Sequence, residues 1–439
     1  MAPPPGSAAA TTSAVLITAS EPEPRSFGKQ VVIGGLLDHL CARLGPDRVD
    51  VVLIGRPGVD RPATPYGLHV VPNPGSVDQA AALLRRVLLA PRSSLQEAAL
   101  WSPRVLAGIR ALLDRLQPDL EIWDTMRTGQ YARELPRRKR VLYADDLFSK
   151  RYASMLERMK RDPSRMANPL GEFGKMLPGP AARIAARPAV YGPLLRFEQR
   201  RTARAELAAP HDFDATLLVN AEEAAELARR ADSDSVRTVL PILREPAAGR
   251  RRFDGGAQFV FLGGLDFPPN RDGLAWFLHH CRGPVLAAVP DFRLLVVGRG
   301  SVRELPEARP WGDRVRMAGW VDDLDQVMLG AAALISPLRL GSGTKIKVLE
   351  ALARGLPVVA TPYGVLGLDV GRADGCLVAD SPEGLAAALA EALDPDANGA
   401  LSDAARAAWR TRFAPAVAAA AYDDALGLVP RTARRAAGW

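Results

Sequence analysis

Two glycines, two lysines and a glutamate within ten residues, Gly341 to Glu350, carry the clearest chemistry of this sequence. In Gly341-Ser342-Gly343-Thr344 the glycines let backbone come close to a ligand, and a helix opening after them leaves amide hydrogens unpaired at its positive end. A phosphate placed there gains about 0.3–1 kcal/mol from the helix dipole, or up to ~2 kcal/mol when partly buried. Lys345 and Lys347 add full charges. Glu350 shares a helix face with Lys347 and lies about 10 Å along the axis from Gly343, roughly the reach from a pyrophosphate to a ribose. A carboxylate there can accept from both ribose hydroxyls, so the spacing suits a nucleoside diphosphate. An ordinary connection with a solvated Lys/Glu face has the same composition.

The elements that must position these residues run from Ile335 to Thr361, ISPLRLGSGTKIKVLEALARGLPVVAT. Ala332 to Ser336 reads as a buried strand, and Lys345 to Arg354 as a helix with Ile346, Leu349 and Leu352 at helical spacing. Gly355 and Pro357 stop that helix, and β-branched Val358 to Thr361 starts the next strand. Such a crossover places the loop at the carboxyl end of a parallel strand, where ligands bind in open α/β sheets.

This stretch, together with FVFLGGLDFPPNRDGLAWFL at Phe259 to Leu278, resembles the family 4 retaining glycosyltransferases of GT-B fold (glycosyl transferases group 1), in a branch with the GSGTK variant. Residues 257 to 370 carry nearly all of the resemblance. It implies an α/β protein of two Rossmann-like, doubly wound domains facing a central cleft. The second domain would hold the donor, and the first would hold the acceptor. That family usually shows two glutamates separated by seven residues, the second holding the donor ribose. Glu350 matches the second, and Ser342 stands where the first would be. The resemblance further implies donor contacts at Gly263, Gly264, Asn270 and Gly298, with Gly319 to Val321 near the base. Arg271 is the nearest match to a basic residue that relatives direct at the diphosphate.

Length and composition agree with a two-domain globular protein. The chain has 439 residues, 48% of them hydrophobic. Met1 to Ser13 reads as a disordered tail without the pattern of a secretory signal, and no apolar run approaches the ~20 residues of a membrane span. Cys41, Cys281 and Cys376 are scattered, odd in number and without metal spacing, which fits a reduced cytoplasm. The net charge of +8 suits nucleic acid, anionic lipid or polyphosphate ligands, while a GC-rich genome raises arginine counts with no function attached.

Along the first half, strands are expected at Ala14–Thr18, Val51–Ile54, Leu68–Val71, Leu120–Trp123, Val141–Tyr143, Ala215–Val219 and Val236–Leu240. Helices are expected at Lys29–Leu44, Val77–Leu89, Val105–Leu116 and Ala221–Arg230. The alternation argues a doubly wound parallel sheet. Gly28 resembles the glycine loop that opens the first GT-B domain. Asp124, Asp145 and Asp146 fall at strand ends, so they are candidate acceptor contacts or a base, with Asp146 the one assigned to catalysis; as helix caps before Leu147, Asp145 and Asp146 would look the same.

Residues 150 to 208 interrupt the alternation. Tyr152, Met155, Leu156 and Met159 form an apolar stripe beside Arg151, Arg158, Lys160 and Arg161, and a second basic helix follows at Leu194–Leu207. Lys150 to Arg204 holds 13 basic residues against four acidic ones. Basic amphipathic helices lie on anionic membranes or pack on a core with a cationic face outward.

The five histidines show no metal spacing, and no GxxxxGK[ST] or GxSxG occurs. Asp322 or Asp323 before Leu324 reads as a helix cap, not a metal-binding pair. The domains expected are a tail at 1–13, a first domain at 14–243 with the basic insertion 150–208, a linker at 244–256, a donor domain at 257–410, and a helix within 411–439 crossing back to the first. The reading reached is a metal-independent, retaining transfer of a sugar from a nucleoside-diphosphate sugar to a glycan or lipid-linked acceptor. Lys345 and Lys347 hold the leaving diphosphate, no cofactor beyond the sugar nucleotide and no nucleic-acid partner is expected, and the protein is placed in the cytoplasm or peripherally at the inner membrane face. A sugar-nucleotide epimerase of the same fold and a non-catalytic binding relative are the alternatives.

Overall fold

The computed structural model describes residues 11–25, 28–89, 93–161, 187–246, 251, 253–321, 323–341 and 343–428. The chain divides into two compact units. Met1–Leu147, Arg200–Leu243 and Ala416–Trp439 make the first, and Phe148–Gln199 with Arg244–Pro415 make the second.

In the first unit the strands are β1 (Ala14–Thr18), β2 (Val49–Gly55), β3 (Gly67–Pro72), β4 (Leu120–Asp124), β5 (Arg140–Asp145), β6 (Ala215–Leu218) and β7 (Val236–Thr238). They form one parallel sheet in the order β3-β2-β1-β4-β5-β6-β7. Strands β1 and β4 are buried at every residue, β1 through the apolar run expected of a strand covered on both faces and β4 with Glu121 and Asp124 buried among its apolar residues. Val15, Ile17, Val52, Trp123, Leu142 and Ile109 meet in the core. The chain runs outward from β1 in one direction and from β4 in the other, so the sheet reverses its order between these two strands.

The second unit repeats the plan with six strands: β8 (Gln258–Leu262), β9 (Arg293–Val297), β10 (Val315–Gly319), β11 (Ala333–Ser336), β12 (Val358–Ala360) and β13 (Cys376–Val378). Their order is β10-β9-β8-β11-β12-β13, all parallel. Here the reversal falls between β8 and β11, whose pairing sets Ala333 beside Phe259 and Leu334 beside Val260. Both sheets are doubly wound, as the alternation of apolar runs and helical periods implies.

Several local expectations change. Thr11 to Ser13 belong to the folded first unit: the Asp119 carboxylate accepts from the Thr12 and Ser13 amides at 2.9 and 3.0 Å, and Thr11 pairs with Leu428. Residues 1–10 lie outside those described. The helix expected at 77–89 runs as Ser76–Leu83 and then widens to a π-helical turn over Leu84–Leu89. A further helix, Leu95–Leu100, was signalled by Ser94 and Glu97, which form a capping box. In the second unit the sequence places Pro268-Pro269-Asn270 before a helix at Gly273–Cys281, whereas Pro268 and Pro269 themselves open the helix Pro268–His280. Proline suits the first helical positions because its φ is already helical and its missing amide hydrogen would be unpaired there.

The helix Phe148–Arg161 and the helix Pro188–Asp212 pack on each other through Tyr152, Leu156, Tyr191 and Leu195, with Met155, Met159 and Leu194 at the margin. The apolar stripe read in the sequence is therefore covered by this packing. The intervening 162–186, like the side chains of Arg158, Lys160 and Arg161, lie outside the described residues. Within 244–256, Arg251 is buried and donates to the Ala331 and Ala332 carbonyls and to Asn398 Oδ1. The helix Pro415–Leu426 is fixed to the first unit by Asp423, which pairs with His39 Nε2 at 2.9 Å and with Arg43.

Candidate functional site

Each sheet reverses its strand order at one place, and in open α/β sheets ligands bind outside the carboxyl ends of the strands at such a point. In each unit that place holds a lysine at the start of a helix. A cation is out of place in a first helical turn, where the dipole is positive, so some other group must favour it.

In the second unit the loops after β8 and β11 meet. Gly263 and Gly264 follow β8, and Asn270 sits in the first turn of the helix Pro268–His280. After β11, Gly341 and Gly343 adopt φ of +121° and +69°, which only glycine holds without strain, and Lys345 leads into the helix Ile346–Ala353. Lys347 Nζ donates to Asn270 Oδ1 at 2.7 Å, while Asn270 Nδ2 donates to the Gly264 carbonyl at 2.9 Å. A Cβ on Gly263 would lie 2.4 Å from that amide nitrogen and 3.1 Å from Lys347 Nζ, so the side chains need glycine there. Gly298 lies as close: its Cβ would stand 2.6 Å from the Gly263 carbonyl carbon, and its amide donates to the Gly319 carbonyl at 2.8 Å. Gly263, Gly264, Asn270, Gly298 and Lys347 thus form one constellation.

Its electrostatics are one-sided. Burial depresses Lys347 to about 7, and the charge of nearby Lys345 acts in the same direction. The ammonium lies 4.3 Å from the centre of the buried Phe261 ring, but no carboxylate pairs with it among the described residues. Lys345 is buried, and its Nζ donates to the Gly343 carbonyl at 2.7 Å, closing the glycine loop. Thr344 is half-buried beside it. Ser342 lies outside the described residues, as does Asp322. Asp323 caps the helix Leu324–Leu329, accepting from the Gln326 amide at 3.0 Å, as its position before Leu324 suggests.

The two remaining donor candidates are engaged by protein. Glu350 does not turn to Lys347; its Oε2 accepts from Arg354 Nη1 at 2.5 Å. Arg271 Nε donates to the Glu304 carbonyl at 2.8 Å.

In the first unit, Gly28 opens the helix Gly28–Leu44, and Lys29 follows it. Lys29 Nζ is 2.6 Å from Asp124 Oδ1 at the end of β4 and 3.3 Å from Asp145 Oδ2 at the end of β5. Thr18 Oγ1, at the end of β1, donates to the other Asp124 oxygen at 2.8 Å. Burial works against the Lys29 charge, but Asp124 and then Asp145 outweigh it and hold the ammonium above its ordinary range. Asp145 takes φ of +73° where the β5–β6 register shifts. Asp146 is buried beside it, and the Leu147 amide is taken by the Glu223 carboxylate at 2.7 Å. The sequence reading assembled Asp124 and Asp145 but missed Lys29. Its signal was a lysine in a first helical turn, a local rule broken at a site.

Among the described residues no three His, Cys, Asp or Glu side chains are grouped to hold a metal, and no helix is long and apolar enough to cross a membrane.

Residues 256–395 match the family described as Glycosyl transferases group 1. Over 146 residues the chain is 34% identical to a phosphatidyl-myo-inositol mannosyltransferase of Mycolicibacterium smegmatis; the match covers 32% of this chain and 37% of that protein, so it spans little more than a third of the relative. Sucrose-phosphate synthase from Thermosynechococcus elongatus superposes with a TM-score of 0.67 at 17% identity, covering 94% of this chain and 98% of that one. WaaG, a glycosyltransferase involved in lipopolysaccharide biosynthesis, gives 0.59 at 18%, covering 94% and 100%. HepE of Anabaena, in complex with UDP and glucose, gives 0.59 at 14%, covering 95% and 100%. The fold of this chain is GT-B, built from two Rossmann-like parallel-sheet units, and its residues 256–395 are similar to the group 1 glycosyl transferases.

Proposed function

We propose that the protein transfers a sugar from a nucleoside-diphosphate sugar to a glycan or lipid-linked acceptor, with retention at the anomeric carbon and without a divalent metal. The observation that carries this reading is Lys347, a cation at a switch point whose described partners are an amide oxygen and an aromatic face. Lys29, in the equivalent place of the other unit, has two carboxylates. The charge at the second site is complementary to an anion, and the glycine loop and helix start beside it add amide donors. The mannosyltransferase relative and the UDP complex of HepE support a sugar nucleotide as that anion.

The bond between the anomeric carbon and the diphosphate oxygen breaks as the acceptor oxygen bonds to that carbon on the same face. The departing phosphate takes the acceptor's proton. The protein then needs no strong nucleophile, and Lys345, Lys347 and the loop amides stabilise the charge that develops on the diphosphate. The residues assigned to the acceptor are Asp145 and Asp146; Asp124, paired with Lys29, is the positioning member of that group. Retention and metal independence rest on the resemblance of the donor half to the family.

The test is calorimetric titration of UDP, GDP and ADP into wild type and Glu350→Ala. One nucleotide should bind and weaken by roughly tenfold or more in the variant, the worth of hydrogen bonds to a charged group. A sugar panel with that base, run in EDTA, should then show transfer. Absence of nucleotide binding to folded wild type would remove the donor site; transfer lost in EDTA and restored by a divalent ion would remove metal independence.

Contact with an anionic membrane, if made by the helices Phe148–Arg161 and Pro188–Asp212, is electrostatic, because their apolar stripe packs internally. Flotation should recover more protein with anionic than with neutral vesicles, by a margin that falls with salt. Equal recovery would end the membrane reading.

A further inference from the structure

The donor reading makes Glu350 the group that accepts from the ribose, and a carboxylate on one turn of a helix has several rotamers from which to choose. What fixes it is Arg354, one turn further along and largely buried, with a side chain 9% exposed. Its guanidinium works as a fork with two occupied edges. On one edge, Nη1 donates to Glu350 Oε2 at 2.5 Å and to the Glu350 carbonyl at 3.0 Å. On the other, Nε donates to Asp325 Oδ1 at 2.6 Å, with Nη2 at the same distance. Asp325 belongs to the helix Leu324–Leu329, which follows β10 and the segment Gly319 to Val321. Nothing among the described residues bonds Glu350 Oε1.

We propose that Arg354, anchored by Asp325, is the positioning residue that aims the Glu350 carboxylate at the ribose diol of the donor. The inference rests on the nucleotide-sugar reading of this site. Arg354 holds one carboxylate oxygen and leaves the other for the ligand, so the rotamer is selected before binding rather than at its expense. A planar guanidinium meets the two carboxylates on two fixed edges, whereas the three donors of a lysine ammonium rotate on one nitrogen and set the direction of a carboxylate less well. Because Asp325 and Arg354 lie 29 residues apart, the pair also ties the helix after β10 to the helix that carries Glu350.

The test compares ribose discrimination, which general loosening of the fold would not selectively erase. UDP, GDP and ADP, each with its 2′-deoxy counterpart, are titrated into wild type, Glu350→Ala, Arg354→Met, Arg354→Lys and Asp325→Asn. Wild type should prefer the ribonucleotide by roughly tenfold or more. That ratio should fall to about 1–2 in Glu350→Ala and Arg354→Met, and to intermediate values in Arg354→Lys and Asp325→Asn. Should Arg354→Met fail to fold, the last two variants carry the same comparison. Full discrimination in the Arg354 and Asp325 variants, with loss in Glu350→Ala, would overturn the positioning role and leave the donor reading intact. Full discrimination in Glu350→Ala itself would overturn the ribose role of Glu350, and the role of Arg354 with it.

Discussion

Nucleoside-diphosphate binding should weaken by roughly tenfold between pH 6.5 and 8.5, and Lys347→Met should both flatten that dependence and lower kcat by ~10²–10³-fold. Lys347 sits at about 7 in the free protein because burial and the neighbouring Lys345 charge disfavour its ammonium form. A bound diphosphate favours that form, so Lys347 has a higher pKa in the complex than in the free protein. Between those two values binding takes up a proton, and affinity falls as pH rises. The direction is diagnostic. A phosphate monoester gains its second charge near pH 6, so the ligand's own titration would strengthen binding to any cation as pH increases. Calorimetry in two buffers of different ionisation enthalpy reads the proton uptake directly. A pH dependence that survives Lys347→Met would assign the titrating cation elsewhere, and an unchanged kcat would remove Lys347 from the leaving-group site.

Why Lys347 and Asn270 were each legible in the sequence while the contact between them was not follows from the physics of the two signals. The strand before Lys347, the glycines and the helix stop at Gly355 are local signals, and the apolar runs of β1 and β11 read as buried because parallel strands are covered on both faces. The contact that defines the site joins Lys347 to Asn270, 77 residues away, and depends on β8 and β11 being neighbours in the sheet. No local pattern states that order. Pro268 and Pro269 also misled, because proline marks both the end of regular structure and the first turn of a helix. Arg354 read as part of the last helical turn; only the placement of Asp325 makes it a fork between two carboxylates.

The same long-range pairing hid Lys29, 116 residues from Asp145, and it sets the other large effect. Lys29→Met should destabilise the protein by ~2–3 kcal/mol, a fall in Tm of about 4–12 °C. Breaking a fully buried pair costs about 3–5 kcal/mol, because the surviving charge is left without compensation. The lower figure applies here because Lys29 and Asp145 keep about a quarter of their side-chain surface in solvent. Asp124 is the member that suffers: its side chain is 2% exposed, and among the described residues Thr18 alone then answers its charge. Lys29→Met combined with Asp124→Asn should therefore recover part of the loss. Lys29 is held above the ordinary lysine range, so the pair's stability is fully present below the unfolded value and is lost only as alkaline pH passes the folded one. The gap between wild type and Lys29→Met should thus stay constant from pH 6 to 9. A variant as stable as wild type would show that Asp124 does not depend on Lys29, which would return it to the candidates for acceptor base.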